Sequence, residues 1–198
     1  ACTSAGASPS ASAWLNASVI LLFLMPMITM RTFAEEKRAG TFELLLTAPL
    51  TDLQIILGKF LGAMALYGLM LLVTLLDVGL LFYYGNPEWK PVATGALALL
   101  LLGSCFLALG LFVSSLTRNQ IVAAVATITV NLILFFVPLL TAPLHLGFLD
   151  RFLGSISMLE HFSASFSRGV LDSAPLAWYA AGTAGLLVIT SRSLELRK

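Results

Sequence analysis

The feature that most limits what this chain can fold into is the recurrence of apolar runs long enough to cross a bilayer. Five stand out, at about Trp14–Met30, Ile55–Tyr84, Val92–Leu116, Ile121–Leu140 and Leu176–Ser191. About 20 apolar residues in a helix reach across a hydrocarbon core of about 30 Å. Inside that core the backbone polar groups of each run must bond within the run, so helices are expected rather than a barrel. With 59% hydrophobic residues and a mean hydropathy of +0.96, the composition agrees. The predicted fold is therefore all-α, a polytopic membrane helical bundle with five spans.

Between the first two spans lies the longest polar interruption, Arg31 to Lys59, carrying Arg31, Glu35, Glu36, Lys37, Arg38 and Glu43 in a chain with only 11% charged residues. Thr32 followed by Glu35 has capping-box spacing and predicts a new helix starting there. Gly40 interrupts it, Thr41 to Thr47 resumes it with Phe42, Leu45 and Leu46 on one side, and Pro49 ends it. Thr51 with Gln54 repeats the capping-box spacing and opens the next long helix. A helix with charges on one side and an apolar face on the other suits a groove in a partner protein or a lipid surface. Lipid-surface helices favour Lys and Arg, whereas here Glu35, Glu36 and Glu43 outnumber Lys37 and Arg38, which favours a protein.

Residues 1–13 are small and polar and are expected to form a flexible exterior segment. With no initiating Met and no complete signal peptide, the chain is expected to begin inside a longer product. Pro26 is expected to kink the first span. Gly58 and Gly62 on the second span, and Gly103, Gly110 and Ser114 on the third, place small residues where helices can approach closely. The turn from Ser115 to Gln120 is short, with Asn119 a cap for the fourth span.

Two residues inside spans are candidate functional positions. Asp77 is ionisable, and such a group in a span is a functional candidate by default; the alternative is that it faces a neighbouring helix or reaches the outer interface. Asn131 is read first as an interhelical hydrogen-bond partner and second as a substrate ligand. From Leu144 to Asp172, apolar residues at helical spacing (Phe148, Phe152, Ile156, then Phe162, Phe166, Val170) mix with Asp150, Arg151, Glu160, His161, Arg168 and Asp172. This predicts two short helices tucked partly into the outer side of the membrane, because charges at the bilayer centre are costly.

Orientation follows from the basic residues. Five spans put Arg31, Lys37, Arg38, Lys59, Arg118, Arg192, Arg197 and Lys198 on one side, against Lys90, Arg151 and Arg168 on the other. The first side is expected to be cytoplasmic. Trp14, Tyr83, Tyr84, Trp89, Trp178 and Tyr179 gather at the opposite boundary, as an aromatic belt would.

No nucleotide-binding or catalytic set accompanies these features. Gly58-Lys59 lacks the upstream Gly and the following Ser or Thr of a phosphate loop. Gly103-Ser104 and Gly154-Ser155 lack the rest of a nucleophile elbow. Cys2, Cys105, His145 and His161 have no ligand-like spacing, and a net charge of +1 with no basic cluster argues against nucleic acid. The chain is expected not to be an enzyme and to bind no cofactor or metal itself. An intramembrane enzyme is the reading the sequence supports least.

The run Leu24-Met-Pro-Met-Ile-Thr-Met-Arg-Thr-Phe-Ala-Glu-Glu-Lys-Arg-Ala-Gly-Thr-Phe-Glu-Leu-Leu-Leu-Thr-Ala-Pro49, followed by Leu57-Gly-Lys-Phe60, resembles permeases of the type-2 ABC exporter family, closest to the gliding-motility type. Gly110-Leu-Phe-Val-Ser-Ser-Leu-Thr-Arg-Asn-Gln120 and His161-Phe-Ser-Ala-Ser-Phe-Ser-Arg-Gly-Val-Leu-Asp172 extend the likeness, which covers the chain from Trp14 onward. The resemblance implies a six-span half-transporter in the inner (cytoplasmic) membrane; with five expected spans here, the family's first helix is expected to be the one without a counterpart in this sequence. It implies a dimer with a second copy or a paralogue, cytoplasmic ABC ATPase subunits holding ATP and Mg, and export driven by their hydrolysis. The segment matching Glu35–Thr47 is the family's coupling helix, which makes Glu35, Glu36, Lys37, Arg38, Thr41, Phe42, Glu43, Leu45 and Leu46 the expected ATPase contacts. Residues 144–172 match the family's short outer re-entrant helices, with His161, Phe162, Phe166, Arg168, Gly169 and Asp172 as the outer motif. An alternative role is mechanotransmission to an exterior auxiliary protein without transport.

Overall fold

The computed structural model describes residues 9–40, 51–84, 89–141 and 173–195. Among them are five helices and no strand: α1 (Pro9–Ala39), α2 (Asp52–Tyr84), α3 (Trp89–Leu116), α4 (Gln120–Thr141) and α5 (Ser173–Glu195). Each expected span lies within one of these helices. The stretches Asn16–Ala39, Asp52–Leu76 and Val92–Leu116 are long and apolar enough to cross a membrane, and Gln120–Phe136 is a shorter apolar stretch. The protein is an all-α membrane helical bundle.

Helix ends follow the capping chemistry in two places. The Thr51 N–H donates to Gln54 Oε1 at 3.1 Å, and the Gln54 N–H returns to Thr51 Oγ1 at 3.4 Å. This reciprocal capping box satisfies two N–H groups that the first turn of α2 cannot pair within itself. At the start of α4, Asn119 Oδ1 accepts the Ile121 N–H at 3.0 Å.

The first helix departs from expectation at both ends. It begins at Pro9, so residues 9–13 are helical rather than flexible. Proline suits a helix start, where its missing N–H has no intrahelical role. Nor does a new helix open at Thr32. α1 runs unbroken through it, and the Thr32 hydroxyl donates back to the Thr29 carbonyl. A mid-helix threonine makes such local bonds readily, and the capping spacing is meaningful only where the backbone has already left the helix. Gly40, at φ 74°, is where α1 stops, in the left-handed conformation that terminates helices. Glu35 to Ala39 are thus the end of the first long helix.

Helix α3 is the centre of the bundle and packs against all four of the others. From Leu102 to Leu111 every residue is buried, the pattern of a helix apolar all round. Lipid tails are as apolar as leucine, so membrane helices associate through close packing and hydrogen bonds rather than by escaping water. Here α3 uses its small residues. A Cβ on Gly110 would overlap the Thr29 side chain of α1, and one on Gly103 would overlap the Tyr67 ring of α2. The Tyr67 hydroxyl donates to the Leu99 carbonyl, and Ser104 Oγ stands 3.3 Å from Thr183 Oγ1 on α5. By contrast, Gly58 and Gly62 on α2 are exposed and meet no neighbour, so that small-residue pair joins no helices among the described residues.

Candidate functional site

The charged residues of α1, the start of α2 and the end of α3 come together at one end of the bundle. Beneath them Phe33, Ile56, Leu111 and Leu194 form a small apolar cluster drawn from α1, α2, α3 and α5. Above this floor Lys59 of α2 reaches α1. Its Nζ stands 2.6 Å from Glu36 Oε1, donates to the Thr32 carbonyl at 2.6 Å, and lies 4.6 Å from the centroid of the Phe33 ring. The Lys59 side chain is 15% exposed and that of Glu36 33%. Such a pair falls between exposed ion pairs, worth about 0–1 kcal/mol, and buried ones, where losing one partner costs about 3–5 kcal/mol.

A second set of bonds fixes α1 to α3. Ser114 Oγ accepts the N–H groups of Phe33 at 3.3 Å and Ala34 at 3.2 Å, and lies 3.4 Å from the Met30 carbonyl. The Lys37 ammonium donates to the Ser115 carbonyl in the last turn of α3. A cation there also meets the negative end of the helix dipole. Phe33 and Ala34 are fully buried by this contact, while Arg31, Glu35 and Arg38 face outward.

The expected coupling residues therefore divide by role. Glu36 and Lys37 are engaged within the protein, and Glu35 and Arg38 are exposed. Thr41, Phe42, Glu43, Leu45 and Leu46 lie outside the described residues, as do residues 144–172 with His161, Phe162, Phe166, Arg168, Gly169 and Asp172. Asp77 falls within α2, and its side chain is outside the described set. Asn131 on α4 is fully buried, and neither its Nδ2 nor its Oδ1 has a hydrogen-bond partner. The interhelical bond expected of it is absent among the described residues. No group of three His, Cys, Asp or Glu among the described residues could hold a metal ion.

Three residues central to this end were not singled out as site residues from the sequence: Lys59, Phe33 and Ser114. The signal for Lys59 was present, a lone cation at the start of an otherwise apolar helix. Nothing in the sequence named its partner.

Across the bundle from this end, α1 and α2 frame a cleft of about 190 Å³, lined by Ile20, Leu21 and Leu24 facing Tyr67, Met70 and Leu71, among others, with Leu99 of α3 beside them. Its two side-chain hydroxyls are already engaged, Tyr67 with the Leu99 carbonyl and Thr74 with the Met70 carbonyl.

No curated protein matches the chain. The family model described as "ABC-2 family transporter protein" matches residues 7–162, which take in α1 to α4 and so Lys59, Glu36, Lys37 and Ser114 at the charged end, but not α5. With most of its length matched, and with a multi-pass helical bundle as its fold, the chain belongs to the ABC-2 family of transporter proteins and is a permease component of an ABC transporter.

Proposed function

We propose that this permease takes up energy from a separate cytoplasmic ATPase, which holds ATP and Mg, and uses it for export across the inner membrane. On this reading the charged end faces the cytoplasm, as the eight-to-three distribution of Lys and Arg favours. The segment Glu35–Thr47 is the docking element. Glu35 and Arg38 offer it exposed charge, and Phe42, Leu45 and Leu46 its apolar face. The subunit works as a dimer with a second copy or a paralogue. On the same reading it is a permease of the gliding-motility type.

One observation carries this reading best. The stem of the docking segment is fastened to two other helices, through Lys59 to α2 and through Ser114 and Lys37 to α3. A connection that merely joined two spans would have no need of such anchorage. An element that receives force does, because displacement is transmitted only through contacts that do not yield.

The test is purification of the native complex with identification of its co-purifying subunits, followed by Glu35→Lys combined with Phe42→Ala and Leu45→Ala. Glu36 is left intact because its carboxylate is engaged with Lys59. The expected result is normal membrane insertion with loss of ATPase co-purification or of permease-stimulated hydrolysis. Unchanged binding and unchanged stimulation would place the docking element elsewhere.

A further inference from the structure

Helices α1 and α2 are antiparallel neighbours that touch each other little, each resting mainly on α3. They meet closely at the charged end, where Lys59 stands over Thr32, Phe33 and Glu36. Thr74, which lines the cleft, is 15 residues further along α2, about 22 Å away at 1.5 Å per residue. The two helices are thus joined at the charged end and parted further along, by a cleft that lies near the middle of α2.

An ammonium carries three N–H groups. The contacts of Lys59 match that number: a carboxylate, a backbone carbonyl and an aromatic face, all on consecutive turns of α1. A single surface ion pair tolerates sliding, because a long side chain can follow its partner. Three acceptors fixed on one helix do not, since a shift of one residue, about 1.5 Å along the axis, breaks more than one of them together. Movement of α1 itself at this level is opposed by Ser114.

We propose that Lys59 is a positioning residue that clamps α1 and α2 into one rigid pair at their charged ends. Displacement of the connection between Gly40 and Thr51 then reaches both helices together and is not absorbed by a hinge between them. The clamp rests on the ATP-driven reading above and goes beyond it by naming the joint through which the force passes. The contrary mechanism is a gate, in which the Lys59–Glu36 pair opens in every cycle.

The two mechanisms predict opposite results for a covalent bridge. In a background of Cys2→Ser and Cys105→Ala, the pair Glu36→Cys and Lys59→Cys is introduced, and the complex with its co-purified ATPase is reconstituted in lipid vesicles. Permease-stimulated ATP hydrolysis is measured before and after bridging with a short bifunctional thiol reagent that a reductant can cleave. With the thiols free, stimulation is expected to fall at least about fivefold, the lower bound for typical coupling between sites. Bridging should restore it, and reduction should abolish it again. Inhibition on bridging would establish the gate and overturn the clamp. Stimulation equal to the parent's with the thiols free would also overturn it. If the parent complex carries no ATPase, the functional reading fails and the clamp falls with it. If the parent is stimulated but bridging changes nothing, the clamp alone fails. Should the double-cysteine variant not insert, Lys59→Arg and Lys59→Met make the same comparison. Arg is expected to keep stimulation, and Met to lose it while still binding the ATPase. Equal loss of binding and stimulation in Met would mark a purely structural lysine and overturn the proposal.

Discussion

The two ends of the α1–α2 pair are built on different principles. At the charged end, polar groups bond between helices: Lys59 to α1, Lys37 to the end of α3, and Ser114 to two N–H groups of α1. At the cleft, Thr74 bonds within its own helix, Tyr67 bonds to the Leu99 carbonyl of α3, and no lining side chain among the described residues bonds between α1 and α2, whose facing side chains are otherwise aliphatic. An interhelical hydrogen bond has direction and a narrow distance range, so it holds register. Dispersion contacts between leucines are numerous but individually small and tolerate sliding. The charged end is therefore stiff and the cleft end can repack, a division suited to receiving force at one level and changing shape at another.

Substitutions at the two ends should differ accordingly. The largest effect is expected where α1 and α3 come closest. Gly110→Leu forces a side chain into the space of Thr29, and overpacking of this kind costs about 1–3 kcal/mol or more. Detergent-solubilised protein should melt well below the parent or elute as aggregate on size exclusion; a parent-like profile would mean that the helices part easily here. Next comes Ser114→Ala, which takes the hydroxyl acceptor away from the buried N–H groups of Phe33 and Ala34. Both N–H groups lie inside the unbroken helix α1 and keep their intrahelical carbonyls, so the expected loss is that of a shared bond, about 0.5–1.5 kcal/mol, read as a lower thermal midpoint.

Between the two ends lies Asn131, and its effect should have the opposite sign. Its buried amide has no hydrogen-bond partner among the described residues, so Asn131→Leu removes a desolvated polar group and is expected to stabilise by about 1 kcal/mol. A lower melting temperature would show that the amide is satisfied after all. The smallest effect belongs to the cleft. Thr74→Val exchanges a hydroxyl bonded to its own helix and should shift stability by less than about 0.5 kcal/mol. A shift as large as that of Ser114→Ala would erase the contrast between the ends.

Much of the architecture is legible in the sequence because it depends on local rules. The lengths of the apolar runs set the helices. The Thr51–Gln54 box and Asn119 mark two helix starts through bonds between residues two or three apart. Thr32 and Glu35 show the limit of such reasoning. Their spacing equals that of Thr51 and Gln54, yet α1 continues through them. Whether a capping box operates depends on whether the chain leaves the helix, and here Lys59 bonds to the Thr32 carbonyl and Ser114 to the neighbouring N–H groups of Phe33 and Ala34 while the helix runs on.

The sequence by itself determined that this is a membrane bundle, where its long apolar runs become helices, and that charge gathers between the first two of those runs. Hydropathy and capping act over a few residues, so they can be read from the order of the chain alone. Only the tertiary structure decided that Lys59 meets Glu36, that Gly110 receives Thr29 while Gly58 and Gly62 meet no neighbour among the described residues, and that Asn131 is buried without a hydrogen-bond partner among them. Those pairings depend on the register and rotation of whole helices against one another. A shift of one residue or a turn of 100° changes every pairing while leaving hydropathy, charge and capping as they were.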